Sequence, residues 1–79
     1  MLKVLLAQQG MAMQDGTILR WLRQEGDRVE KEEAIAEVET AKAIVEVVAP
    51  EAGVLHQILV GVDETVPVRT VLALIDEGV

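Results

Sequence analysis

The sequence predicts an all-β domain, a sandwich or flattened barrel made of two similar halves. Short stretches rich in Val, Ile and Leu recur at regular spacing with turn residues between them, the pattern of a small β-sandwich or barrel. A gap-free shift of 37 positions lays the chain on itself, aligning Gly16 with Gly53, Leu22 with Leu59, Val29 with Val66 and Ala36 with Ala73. Apolar positions match under the same shift: Ile18 with Leu55, Trp21 with Ile58, Ala34 with Val71, Ile35 with Leu72 and Val38 with Ile75. Two copies mean two halves, since a solenoid needs about three repeats or more. Half of the residues are apolar, yet Trp21 is the only aromatic, so the core must be built from Val, Ile, Leu and Ala in close contact around it. Such side chains suit thin, tightly packed sheets.

The strands follow in order. Lys3 to Leu6, Thr17 to Arg23 and Ala34 to Glu39 form the first group; Ile44 to Ala49, Val54 to Val60 and Val71 to Ile75 form the second. Shorter pairings are expected near Arg28-Val29 and Thr65-Val66. Gly10, Asp15-Gly16, Glu25-Gly26-Asp27, Pro50-Glu51-Ala52-Gly53 and Gly61 to Glu64 supply the breaks. One stretch speaks for another structure: Ala34, Val38, Ala41, Val45 and Val48 fall at helical spacing, and Glu30 to Ala43 is rich in good helix formers. Against a helix stand the matching second copy, which reads as strand around Val66-Pro67-Val68, and the alternation of Val45, Val47 and Ala49 against Glu46.

With 79 residues the chain is expected to be one domain, 1–79, of a size at which a single core only just offsets the entropy of folding. There is no cysteine, so neither disulfides nor thiolate metal sites hold it, and redox chemistry has to arrive on an added group. The one histidine, His56 in Leu55-His56-Gln57-Ile58, takes a polar face position of a strand. With no Ser-His-Asp or Cys-His set and no metal-ligand set, the chain is not expected to be an enzyme by itself. A net charge of −7 argues against nucleic acid and acidic membranes and favours basic partner surfaces. Met1 to Ala7 is too short for a signal-peptide core and no segment could span a bilayer. The expected setting is the cytoplasm, or the mitochondrial matrix if a transit segment has been removed.

The segment Val38-Glu39-Thr40-Ala41-Lys42-Ala43-Ile44 sets a charged lysine between small residues, with a strand-like run on either side. In the strand reading the turn spans Glu39 to Ala43, and Lys42 projects from its tip. A flexible four-carbon stem ending in a primary amine is what an acylating enzyme can reach and amidate. Period-two alternation also puts Glu37, Glu39 and Glu46 on one face of the paired strands, an acidic surround suited to partner recognition or to solubility.

Together with Gly10-Met11, Asp15-Gly16-Thr17-Ile18, Trp21-Leu22, Glu25-Gly26-Asp27-Arg28-Val29, Ala49-Pro50 and Gly53-Val54-Leu55, this lysine segment resembles a lipoyl domain, the swinging-arm carrier of the 2-oxo acid dehydrogenase complexes. The resemblance covers nearly the whole chain. It implies a barrel-sandwich hybrid, a flattened barrel of two four-stranded sheets with pseudo-twofold symmetry, and an isolated domain that is a monomer. It implies lipoate in amide linkage on Lys42, with Glu39, Thr40, Ala41 and Ala43 read by the modifying enzyme, a lipoate ligase or octanoyltransferase. Glu39, three residues before the lysine, carries the target choice. The segment Gln8 to Asp15, with Gln8, Gln9, Met11 and Met13, is expected near the lysine hairpin, and these residues with Glu37 and Glu46 would meet a thiamine-diphosphate decarboxylase. The further partners implied are an acyltransferase core and a dihydrolipoamide dehydrogenase, in a 2-oxo acid or acetoin dehydrogenase complex.

The chain departs from the family's pattern in four places. Ala41 stands where an aspartate is usual before the lysine. Glu32 and Arg69, equivalent under the 37-residue shift, stand where turn glycines are usual, and Gly61-Val62-Asp63-Glu64 lacks the usual glycine placement. Two other readings compete. A biotin carboxyl carrier would have methionines in place of Ala41 and Ala43, and an unmodified hairpin module would serve protein interaction alone.

Overall fold

The computed structural model describes residues 1–6 and 14–78. Among the described residues eight strands follow one another: β1 (Leu2–Leu5), β2 (Asp15–Trp21), β3 (Arg28–Val29), β4 (Ala34–Glu39), β5 (Ile44–Val48), β6 (Gly53–Ile58), β7 (Thr65–Pro67) and β8 (Val71–Asp76). They form two four-stranded antiparallel sheets, ordered β1-β8-β6-β3 and β5-β4-β2-β7. The segment with helical spacing is strand β4, a turn and strand β5. Local propensity yields because alternation buries Val38 and Val47 and half-buries Val45 against the core while Glu39, Ile44 and Glu46 face outward.

The 37-residue shift is a real pseudo-twofold. It carries β2 onto β6, β3 onto β7 and β4 onto β8. The fourth pair obeys a different offset, 43: Val47 lies beside Ala36 as Val4 lies beside Ala73, and Val45 beside Val38 as Leu2 lies beside Ile75. Strand β1 is therefore the counterpart of β5. The change of offset is why a single gap-free shift of the sequence could not reveal it.

Among the described residues the buried core is aliphatic, with Leu6, Ile18, Val29, Ile35, Val38, Leu55, Leu72 and Ile75 fully buried. Consecutive buried pairs, Ile35-Ala36 and Leu72-Ala73, break the alternation. Both fall at bulges, where the register slips between Ala34 and Ala36 and again opposite Val4 and Leu5. Trp21, expected inside, is only half-buried against this core, and its ring N–H donates to the Val60 carbonyl at 2.9 Å. An indole with one polar group settles at the margin, where that group finds an acceptor. His56 is exposed, as its place on a polar strand face predicts.

Four turns share one design. In Gln24–Asp27, Glu30–Glu33, Gly61–Glu64 and Pro67–Thr70 the fourth residue's N–H donates to the first residue's carbonyl. The third residue is left-handed each time: Gly26 (φ 95°), Glu32 (φ 67°), Asp63 (φ 71°) and Arg69 (φ 73°). A positive φ at the third position alone defines a type II turn, which favours glycine there. In three of them an acidic side chain at the fourth position accepts the N–H of the first: Asp27 from Gln24, Glu33 from Glu30 and Glu64 from Gly61. Pro67 has no N–H to give, and there Thr70 donates its hydroxyl to the Pro67 carbonyl instead at 2.7 Å.

Two predictions follow from these turns. Each left-handed non-glycine residue is strained by about 1 kcal/mol. Glu32→Gly is expected to raise the urea midpoint at unchanged slope, by somewhat less than that because glycine also loosens the unfolded chain. The Glu33 carboxyl is held below the ordinary glutamate value, first by the Glu30 N–H and then by Arg23, with partial desolvation opposing. A depressed folded pKa contributes stability above the unfolded value, about 4.3, which is lost as pH falls through the folded value. Acid unfolding curves of wild type and Glu33→Gln should therefore converge in that window and separate above it.

Candidate functional site

Strands β4 and β5 pair from Ala34 opposite Val48 to Glu39 opposite Ile44, and the chain reverses through Thr40-Ala41-Lys42-Ala43. Most two-residue hairpin loops need left-handed backbone at one or both tip positions. Neither Ala41 nor Lys42 has a positive φ. The turn is closed by a side chain instead. Thr40 N–H donates to the Ala43 carbonyl at 2.9 Å, and the Thr40 hydroxyl donates to the same carbonyl at 2.7 Å. That hydroxyl also accepts the Ala43 N–H at 3.2 Å and, more weakly, the Lys42 N–H at 3.4 Å. Thr40 thus holds the tip without glycine, the local bonding by which a hydroxyl stands in for backbone.

Lys42 is exposed at this tip, between the exposed Ala41 and Ala43, and among the described residues no ion pair engages it. The chain has two other lysines. Lys3 lies within β1, and Lys31 sits 4.0 Å from the Glu51 carboxylate. Among the described residues only Lys42 therefore offers an amine outside any ion pair on the apex of a strand hairpin, with small neighbours leaving room around it.

The predicted acidic face is present. Glu37 stands directly opposite Glu46, and Glu39 is exposed at the strand end next to the turn. Like charges face to face are unfavourable, and the Arg20 guanidinium from β2 relieves this pair by bonding the Glu37 carboxylate. Glu46 and Glu39 remain without an ion partner among the described residues. Glu37, which the sequence suggests for partner recognition, is engaged by Arg20. Gln8, Gln9, Met11 and Met13 lie outside the described residues. The residues that flank them do reach the lysine end: Leu6 packs near Gly16, which in turn lies against Val38 and the Glu39 carbonyl.

Thr40→Val keeps the shape of the side chain and removes its three hydrogen bonds. The variant is expected to lose about 1 kcal/mol at the hairpin, read as faster hydrogen exchange at the Ala43 amide, whereas Thr40→Ser retains protection.

A small two-sheet sandwich displaying one lysine on a hairpin tip has the form of a covalent carrier domain. The chain belongs to the biotinyl/lipoyl attachment family: the family model Biotin_lipoyl, described as "Biotin-requiring enzyme", matches residues 3–75. Within it the chain is similar to the dihydrolipoyllysine-residue succinyltransferase component of the 2-oxoglutarate dehydrogenase complex of Staphylococcus saprophyticus. The two are 52% identical over 64 residues, covering 81% of this chain and 15% of that protein. The acetyltransferase component of the pyruvate dehydrogenase complex of Rickettsia typhi is 39% identical over 77 residues, 96% of this chain and 19% of that one. The chain thus spans less than a fifth of the length of these relatives. In three dimensions it is similar to the lipoyl domain of the 2-oxoglutarate dehydrogenase complex of Azotobacter vinelandii. The TM-score is 0.73 at 28% identity, covering 95% of this chain and 98% of that one. The fold is that of a lipoyl domain, as the sequence resemblance implied.

Proposed function

We propose that Lys42 carries lipoate in amide linkage and that the domain shuttles acyl groups and reducing equivalents among the active sites of a 2-oxo acid or acetoin dehydrogenase complex. The single observation that supports this most is the exposed Lys42 amine on a turn fastened by the Thr40 hydroxyl. Lipoate would supply a dithiolane that accepts an acyl group and two electrons. The protein supplies an anchor, a rigid hairpin and charge. By itself the domain is a carrier without catalytic groups of its own.

In this reading Glu39, with Thr40, Ala41 and Ala43, guides a lipoate ligase or octanoyltransferase to the lysine. Glu46 and the Arg20-bonded Glu37 face a thiamine-diphosphate decarboxylase, with Gln8, Gln9, Met11 and Met13 contributing from the adjoining segment. The acyltransferase core and the dihydrolipoamide dehydrogenase are the other stations. Tethering within one assembly raises the effective concentration of each meeting, so every contact can be weak and quickly released. The place of work is the cytoplasm or the mitochondrial matrix.

Biotin is the second reading, since the family includes both attachments; Ala41 and Ala43 in place of flanking methionines speak against it. Peptide-resolved mass spectrometry on protein incubated with lipoylating and biotinylating enzymes together decides. A lipoyl adduct on the peptide containing Lys42 is the expected outcome. Biotin there would move the domain to a carboxylase, and an unmodified Lys42 would leave a module for protein interaction.

A further inference from the structure

Strands β5 and β1 are the long edges of their respective sheets, each bonded among the described residues to a neighbour on one side only. In β5 the backbone of Ala43 and of Ala49 bonds toward β4 and the turn before it. By alternation the N–H and C=O groups of Ile44, Glu46 and Val48 point to the free edge. In β1 the backbone of Leu6 bonds toward the residues preceding β8, so those of Met1, Lys3 and Leu5 point to the free edge. The two edges are counterparts under the 43-residue offset, and their side chains are complementary: apolar, acidic, apolar on β5 and apolar, basic, apolar on β1.

Six large hydrophobic side chains are exposed among the described residues, and four of them are the ones that flank these two charges: Met1 (64%), Leu5 (45%), Ile44 (60%) and Val48 (43%). Neither Lys3 nor Glu46 has an ion partner among the described residues. We propose that β1 of one copy of this chain pairs antiparallel with β5 of a second copy, with Lys3 opposite Glu46, Leu5 opposite Ile44 and Met1 opposite Val48. Directly opposed residues share a face, so the ion pair sits between two apolar pairs while the backbone groups complete a ladder. The alternatives are closed by charge. Pairing β5 with β5 in the centred register sets Glu46 against Glu46, and β1 with β1 sets Lys3 against Lys3, the familiar use of a central charge to block an edge.

The contact is head-to-tail, so it leaves a free β1 at one end and a free β5 at the other and builds open rows. Leu5 and Ile44 both lie toward the lysine hairpin end of their own copies, so neighbouring hairpins emerge along the same side of the row. The charge of −7 on each copy opposes approach, which makes the association weak and moderate salt, by screening that repulsion, the condition in which to look.

Sedimentation velocity combined with amide shift mapping tests this from roughly tens of micromolar to a few millimolar, the effective concentrations that tethered domains reach. Wild type is expected to show a sedimentation coefficient that climbs with concentration without a dimer plateau, with shifts confined to residues 1–5 and 44–48. Lys3→Glu and Glu46→Lys, both at exposed positions, should each weaken association roughly tenfold when alone. An equimolar mixture of the two variants restores a complementary pair at every junction and should recover wild-type behaviour. A wild type that stays monomeric across the range, shifts that map elsewhere, or a mixture that gains nothing would overturn the proposal. Because no step of the test involves modification of Lys42, failure here leaves the carrier function standing.

Discussion

Lys42→Arg is expected to abolish the adduct completely while leaving a β-type far-UV spectrum unchanged. Arginine keeps the positive charge and approximate reach of lysine, so the exposed hairpin tip loses nothing that folding needs. A guanidinium stays protonated under all conditions in which an enzyme would acylate an amine. The remaining lysines give the measurement its control. Lys3 within a strand and Lys31 beside Glu51 should stay unmodified in wild type and variant alike. An adduct that persisted in Lys42→Arg and mapped to either of them would overturn the assignment of the attachment site.

The largest effect on stability is expected at Gly53. An added Cβ there would lie 2.6 Å from the Asp76 carbonyl oxygen and 2.8 Å from Ile75 Cγ2. Backbone in a paired strand cannot step aside, so Gly53→Ala is expected to cost about 3 kcal/mol, the upper range for forced overpacking. For a domain whose total stability is of order 5 kcal/mol that is most of the margin. Gly16 is the symmetry partner, and its Cβ would meet chiefly Val38 Cγ1, a side-chain atom. Rotation of Val38 gives partial relief, so Gly16→Ala should cost less, about 1–2 kcal/mol. Urea unfolding of both variants tests the order; equal losses would show that the two halves are more alike in rigidity than the contacts indicate.

Much of this was legible in the sequence because the signals were local or repeated. Strand positions follow from alternation and turn residues, and the match of Gly16 with Gly53 shows two similar halves in the sequence itself. Glu32 and Arg69 stood out for the glycines they replace, and both proved left-handed, as did Asp63 in the third turn. Other features depend on partners far along the chain. That Arg20 neutralises Glu37 follows from a register between β2 and β4 with a bulge in it, which alternation alone cannot supply. Trp21 reads as core by size, yet its ring N–H draws it to the Val60 carbonyl at the margin. The Thr40 hydroxyl did leave a sequence signal: a threonine two and three residues before the N–H groups it accepts, in a reversal without glycine. The resemblance makes Thr40 a contact for the modifying enzyme, and the structure adds that its hydroxyl shapes the turn.

The two halves look like separable units, but the ladder forbids it. Among the described residues strand β1 bonds only to β8, which also holds β6 and is a central strand of its sheet, while β2 pairs with β7, far along the chain, as well as with β4. Neither sheet can be assembled from the first half of the residues. A ribosome would have to release β8 before β1 finds its strand partner, whereas β2, β4 and β5 can pair with one another once Val48 has emerged. Folding should accordingly be a single, late and comparatively slow event governed by long-range pairing.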